Sequence, residues 1–483
     1  MNFSLLLPEI VVAATALVVV LADLFVDRKG LLTLISMIGI SVAFVLTAGL
    51  YGNDAQVIWQ GLLAVDSFAV FMKLIFLGLS ALVILASTDY VKRMRGFRGE
   101  FHALILLSTL GMMLLSTSTS LISVFVSLEL ASVPLYALVG FLKDQRGTES
   151  ALKYVLLSAV NSALLLYGMA LIFGFTGTVS LNEIAQVIGA LSISEIWTQP
   201  GLLIGLVLVL AGFGFKVAAV PFHMWAPDVY EGAPTPVALL LSAGSKLAGF
   251  AVLLRVLTSV FAAPEALSHS WGIVLGVVAA LGMTIGNLLA IPQGNIKRLL
   301  AYSGVAHSGY MLMAMAAVGL AGGGAPASTI LFYMLAFAFA EVAVFAAVVI
   351  ASERIGDKIQ DYTGLARRAP WLGIALTIGL LSLTGIPPLA GFIAKLYVFS
   401  QAAENGLWWL VIIAVLNTVI SAYYYLRIVR IMWQGEPAEN APVTAGITPR
   451  MVVLVSAVAT LALGLFPVLG MKLAEFGAAI FLP

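Results

Sequence analysis

The 483 residues are 61% hydrophobic and only 10% charged, with a net charge of +1 and a mean hydropathy of +1.09. Soluble domains carry about 25% charged residues, so this composition excludes an aqueous globular fold and sets the surface against a lipid bilayer. Cysteine is absent and the four histidines (His102, His223, His269, His307) are scattered, which removes disulfides, thiolate metal sites and iron–sulfur ligation, while the near-neutral charge gives a nucleic acid nothing to bind.

The first apolar run, Leu5 to Leu24, carries Glu9 and Asp23 and lacks a small-residue cleavage site. It is too long for the core of a signal peptide and reads as a first membrane span. Backbone groups in hydrocarbon must be satisfied internally, and the runs are too long for barrel strands, so the spans are helices. They are predicted near 4–25, 31–50, 66–88, 102–117, 120–142, 149–175 and 202–222. Further spans follow near 235–260, 271–291, 298–320, 327–351, 370–400, 405–433 and 450–470. The fold class is therefore an all-α polytopic membrane protein of about fourteen transmembrane helices. Only the hydroxyl-rich stretch Ser116–Ser120 separates spans four and five.

Basic residues test the count. Arg28, Lys29, Lys92, Arg93, Arg95, Arg98, Lys143, Arg146, Lys297, Arg298, Arg354, Lys358, Arg367, Arg368, Arg427, Arg430 and Arg450 all fall in odd-numbered loops, 17 of the 24 basic residues. The even-numbered loops carry none, and several hold Glu183, Glu195, Glu265 or Glu404. The positive-inside rule then puts the odd loops in the cytoplasm and both termini on the outer side.

Lys216, Lys246 and Lys395 lie inside apolar runs, where each charge costs about 2.5–3.5 kcal/mol on insertion scales. Lysines retained at that cost point to an ion or proton pathway. Glu129, in Ser127-Leu128-Glu129-Leu130-Ala131-Ser132-Val133-Pro134, is the principal buried acid, and Lys216 is its expected partner. His307 fits either a relay or a hydrogen-bonded core histidine. Glu341 is within reach of a pairing with Lys395 or a helix-packing role. Lys73, Asp66 and Arg255 lie nearer span ends and read as interface anchors, and Lys153 as a snorkelling side chain.

Ala211-Gly212-Phe213-Gly214-Phe215-Lys216 and Ala390-Gly391-Phe392-Ile393-Ala394-Lys395 both read A-G-F-x-x-K, offset by 179 residues. The same offset sets Leu152 on Leu331, Tyr154 on Tyr333 and Leu156 on Leu335, and carries Glu129 to Ser308. One offset holding across two helices implies a duplication of two five-helix units, inverted because five is odd, an architecture of transporters. The predicted organisation is an N-terminal three-helix segment (1–100), a first repeat (101–262), an inverted second repeat (270–433) and a C-terminal helix (434–483). Each repeat contains a broken helix. Pro221 leaves the Val217 carbonyl without its helical partner, and Gly385-Ile386-Pro387-Pro388 interrupts the other run about two turns before Lys395.

At these residues the chain resembles the N subunit of the membrane arm of proton-pumping NADH:quinone oxidoreductase, the respiratory complex I family. The most specific stretch is Lys216-Val-Ala-Ala-Val-Pro-Phe-His-Met-Trp-Ala-Pro-Asp-Val-Tyr-Glu-Gly-Ala-Pro-Thr-Pro236, followed by Ser242-Ala-Gly-Ser-Lys246 and by Gly385-Ile-Pro-Pro-Leu-Ala-Gly-Phe-Ile-Ala-Lys395. The likeness covers essentially the whole chain. It implies that Glu129 and Lys216 are the family's pair on the fifth and seventh helices, Lys246 the linking lysine of the eighth, and Lys395 the exit-side lysine of the twelfth. It also implies a non-redox subunit with no cofactor of its own. NADH, FMN, iron–sulfur clusters and quinone belong to partner subunits. The implied partners are the other membrane-arm subunits, including neighbouring antiporter-like subunits and the lateral helix of the L-type subunit, in a bacterial inner membrane. Two other classes fit the same residues: a subunit of a multi-subunit sodium/proton antiporter, and a non-pumping membrane scaffold whose lysines merely pair.

Overall fold

The computed structural model describes residues 3–26, 30–94, 96, 98–321, 326–437 and 441–481. Arg28, Lys29 and Arg95, counted above among the loop cations, lie outside these residues. Among the described residues 12 helices are long and apolar enough to cross a membrane, and two shorter apolar ones accompany them. The long helices begin with α1 (Leu7–Phe25), α2 (Gly30–Ala48), α3 (Ser67–Ala86), α4 (Arg98–Thr117), α5 (Leu121–Val139) and α6 (Gln145–Thr176). The short α7 (Pro200–Lys216) follows, then α8 (Thr235–Val260), α9 (Glu265–Ala290), α10 (Ile296–Leu320) and α11 (Ser328–Ile355). The twelfth predicted span is two helices, α12 (Pro370–Thr384) and α13 (Ala390–Glu404). The chain closes with α14 (Trp408–Gln434), α15 (Ile447–Leu465) and α16 (Pro467–Ala478). The last of these was unforeseen and carries Lys472. A hairpin of β1 (Gln56–Ile58) and β2 (Leu63–Val65) precedes α3 and is the one departure from an all-helical chain among the named elements.

Local chemistry sets these boundaries. Spans four and five are separate because residues 118–120 leave the helix: Ser118 bridges to Leu63 and Ser120 to Ser180, and Ser120 opens α5 in a reciprocal capping box with Ser123, which satisfies two orphan donors. The Asp66 carboxylate accepts from the Ala69 N–H at 2.8 Å to start α3, and Asn295 starts α10 in the same way. Pro200 and Pro370 occupy first helical positions, where proline gives up no hydrogen bond. Gly385 ends α12 at φ +90°, a conformation that costs glycine nothing. At one end of the bundle the Asp89 carboxylate accepts from the Gly446 N–H at 2.6 Å and pins the segment before α15. Burial works against ionising Asp89, but the Gly446 N–H and Lys92 together hold it below the usual carboxylate range.

Burial is uneven. The most apolar windows of α8, α10 and α11 are 100%, 94% and 89% buried, whereas those of α2, α6 and α14 are 33% buried and turn rows of Leu, Val and Ile outward. Three central helices are thus walled off from lipid by the rest, and they carry Lys246, His307 and Glu341. Arg255 makes a two-pronged pair with Asp66, at 2.8 and 2.9 Å, joining α8 to the start of α3. Lys73 departs from its reading as an interface anchor. It is completely buried and pairs with Glu9 at 2.6 Å, tying α3 to α1. Its position one turn and a half into α3 puts the ammonium inside the bundle, where a carboxylate meets the charge.

Candidate functional site: a buried row of ionisable side chains

Each break in the helical ladder sits beside one of the lysines. Lys216 is the last residue of α7, and after it the chain turns before the short helix Trp225–Gly232. The carbonyls freed there are taken by side chains: the Trp225 indole N–H donates to Phe215 O at 3.0 Å, and the Ser308 hydroxyl to Val217 O at 2.5 Å. The Val217 carbonyl is the one that Pro221 was expected to free, and the donor comes from α10, so the break is closed by protein rather than left in lipid. In the second break the Lys395 ammonium itself donates to Thr384 O, the final carbonyl of α12, at 2.9 Å. The two A-G-F-x-x-K strings therefore do not occupy matching positions. Lys216 ends the half-helix before its break, while Lys395 is the sixth residue of the half-helix after its break. This corrects the literal alignment of the two lysines. Pro221 lies after the first string and Pro387-Pro388 before the second, which moves the break across the motif.

The anticipated Glu129–Lys216 ion pair is not formed directly. Glu129 is half-buried and accepts from the Ser162 hydroxyl at 2.5 Å, whereas the buried Lys216 ammonium donates to Ser132, one turn along the same helix, at 2.7 Å. The carboxylate is still close enough for its charge to act on the lysine. Serine hydroxyls fill the gap because both charged groups need partners inside hydrocarbon. Lys246 lies across from α7 on α8. Gly249, one turn further along α8, packs so tightly that a Cβ there would stand 3.1 Å from Lys216 Cγ. The Lys246 ammonium nestles against Gly304 of α10, where a Cβ would come within 2.3 Å of it, and lies 5.6 Å from the centre of the Phe337 ring.

Glu341 is fully buried on α11 and accepts from Ser242 at 3.0 Å. Its charged neighbour is Lys246, not Lys395 as one reading had it. Residues 240–245 form a wider π-type turn directly before Lys246, which brings Ser242 round to the carboxylate. Such bulges recur at functional sites. His307 lies one turn beyond Gly304, with Nδ1 2.8 Å from the Tyr333 hydroxyl and its ring beside Phe337 and Tyr310. Lys395 sits over the Tyr310 ring, 4.4 Å from its centre. Glu129, Lys216, Lys246 with Glu341, His307 and Lys395 thus form one file from α5 to α13. Sequence reasoning missed the hydroxyls that link it (Ser132, Ser162, Ser242, Tyr310, Tyr333). The available signal was their position inside apolar helices. It also missed a set of ion pairs near the ends of these helices: Arg298 binds Asp228 at 2.5 Å and Glu231 at 2.9 Å, Arg146 binds Glu231 at 3.1 Å, and the buried Lys297 binds Asp357 at 3.1 Å. No three His, Asp or Glu side chains cluster as metal ligands among the described residues.

A bundle of lipid-facing helices around a file of buried cations and acids defines a helical membrane protein of the ion-translocating type. The chain belongs to the NADH:quinone oxidoreductase/Mrp antiporter transmembrane family, whose profile matches residues 118–421. It is 47% identical over 471 residues to the NADH-quinone oxidoreductase subunit N of Dehalococcoides mccartyi, a match covering 96% of each chain. A chain of respiratory complex I from Thermus thermophilus superposes with a TM-score of 0.81 at 33% identity, over 97% of this chain and 100% of that one. A chain of the Mrp complex from a Dietzia species shares the fold, with a TM-score of 0.87 at 22% identity over 100% and 98% of the two chains. The family resemblance read from the motifs is borne out.

Proposed function

We propose that this chain is the N-type membrane subunit of a proton-translocating NADH (or related donor):quinone oxidoreductase, carrying protons through Glu129, Lys216, Lys246 and Lys395. Its full-length identity to subunit N relatives supports the assignment. The observation that carries the relay is the placing of Lys216, Lys246, Glu341, His307 and Lys395, all buried, on helices packed together beside the two helix breaks. A nearby carboxylate favours the charged form of a lysine and desolvation disfavours it. With Glu129 ionised, Lys216 holds its proton. When Glu129 is neutralised or moves away, the proton passes inward to Lys246, whose charge the Glu341 carboxylate then offsets. His307 then lies between Lys246 and Lys395, and Lys395 releases to the outer face beside the backbone of the second break. The driving energy comes from partner subunits, which hold FMN, iron–sulfur clusters and the quinone site, while neighbouring antiporter-like subunits and the L-type lateral helix flank the chain. In mild detergent, soluble redox subunits are expected to co-purify with it, and vesicles holding the complex to take up protons when donor and quinone are added. Sodium-dependent transport by a complex lacking any redox arm would instead make it an antiporter subunit.

We read the two broken helices as full crossings, which brings the 12 long spans to about fourteen, and we divide the chain into 1–100, two inverted five-helix units at 101–262 and 270–433, and 434–483. The odd-loop cations support both termini lying outside a bacterial inner membrane. An impermeant label at Lys92, whose side chain is 70% exposed, is expected to react only from the cytoplasm, and a tag at either terminus only from outside. Cytoplasmic exposure of the C-terminal tag would put the crossing count off by one.

A further inference from the structure

Lys395 has no carboxylate within ion-pair distance among the described residues. Its ammonium is held by one backbone carbonyl and by the face of Tyr310. The position of that ring, together with the Thr384 carbonyl, therefore sets where the ammonium rests. The Tyr310 hydroxyl is 3.1 Å from Thr418 Oγ1 and 3.4 Å from the Ala414 carbonyl, both on α14, and Thr418 directly follows Asn417 in the chain. Asn287 is completely buried. Its amide donates to Asn417 Oδ1 and to the Asn417 carbonyl, both at 3.2 Å, and its Oδ1 accepts from the Tyr424 hydroxyl at 2.8 Å. Asn417 in turn donates to Thr284 at 3.1 Å. Tyr424 lies against Tyr425, ring centres 4.4 Å apart, and the Tyr425 hydroxyl bonds Ser303, the residue before the Gly304 on which Lys246 rests.

Two asparagines and three tyrosines, all buried, thus lace α9, α10 and α14 together between the resting places of two relay lysines. A buried polar network specifies geometry only when its members are satisfied, and here both faces of the Asn287 amide are used. We propose that Asn287, Asn417 and Tyr424 form a positioning clamp that fixes the Tyr310 ring and, through it, the Lys395 ammonium. The clamp rests on the relay reading but adds positioning residues that touch no relay group except through Tyr310.

The test uses the whole complex in vesicles, measuring protons moved per electron, quinone turnover and the KM for quinone. Asn287→Leu should lower the proton yield about tenfold, within the roughly hundredfold that a misplacement of about 1 Å can cost. Tyr424→Phe, which removes one hydroxyl and keeps the ring, should lower it less and in the same direction. The KM for quinone should not move in either. In a Lys395→Met background neither substitution should add a further loss, because both act through Lys395. Full pumping by Lys395→Met would overturn the relay reading itself. Loss in Lys395→Met together with full pumping in assembled Tyr424→Phe and Asn287→Leu overturns the clamp alone. So does a loss in the double variants that multiplies the single ones, which is what a merely structural role produces.

Discussion

A complex carrying Glu341→Gln is expected to assemble and to lose most of its proton pumping. Glu341 is fully buried on α11, with Lys246 as its charged neighbour and one carboxylate oxygen that has no hydrogen-bond partner. A single charge at the centre of a membrane helix costs about 2.5–3.5 kcal/mol on insertion scales, and two opposite charges near one another offset part of that. Glutamine keeps the volume and can still accept from Ser242, so the packing of α8 on α11 should survive. What disappears is the negative charge facing Lys246. A loss of about 1.4 kcal/mol of support is already a factor of ten in any equilibrium, so a tenfold or larger fall in the proton yield is expected, with assembly above half of wild type. Glu341→Asp should recover part of the yield, since it restores the charge on a shorter arm. Complex yield by blue-native electrophoresis and proton uptake in vesicles separate the two effects. Normal pumping in an assembled Glu341→Gln complex would reduce Glu341 to a helix-packing residue.

That pairing marks where sequence reasoning stops. The lysines were legible because charge inside an apolar run is costly wherever the chain folds, so Lys216, Lys246 and Lys395 could be found one by one. Which acid faces which lysine depends on how α8 crosses α11, and no spacing within one helix records a contact between residues 246 and 341. The indirect contact between Glu129 and Lys216 was hidden in a similar way: Ser132 accepts from the lysine and Ser162 donates to the carboxylate, whereas hydroxyls inside apolar helices usually bond only their own preceding turn, as Thr109 and Thr47 do here. The breaks were the most legible feature, because proline removes a hydrogen bond locally. Even there, the repeat in letters did not fix which side of each break its lysine would occupy. The all-helical membrane class and the chain order of the 12 long apolar helices followed from hydropathy, with two elements it did not show. The hairpin at 56–65 and α16 are held by contacts distant in sequence: the Thr119 N–H donates to Leu62 O at 3.0 Å, and Phe476 of α16 stacks on Tyr51 at 3.9 Å.

Gly391→Ala should disrupt the second break more severely than any loss of charge in the file. The glycine is the second residue of α13, and a Cβ built on it would stand 1.8 Å from the Ser382 carbonyl oxygen and 2.7 Å from its carbon. Both are backbone atoms of α12, so no side chain can swing aside to make room. The neighbouring wall offers no relief, because Gly464 of α15 is pressed against Pro388 O, which a Cβ there would meet at 2.0 Å. The segment between α12 and α13 is clamped from both sides by backbone. Overpacking a well-packed core costs about 1–3 kcal/mol when side chains can adjust, and more is expected when a whole half-helix must move. Displacing α13 also withdraws Lys395 from the Thr384 carbonyl, so the variants that do assemble should pump poorly as well. Gly174→Ala is the matched control: it adds the same methyl to a lipid-facing glycine in the last turn of α6 with nothing within 4 Å, and replacing glycine by a better helix former there should leave stability no lower. Thermal stability and yield of the two purified complexes give the comparison. If Gly391→Ala matches Gly174→Ala in both, the break is looser than this packing requires, and Lys395 is not held in place by the contact between α12 and α13.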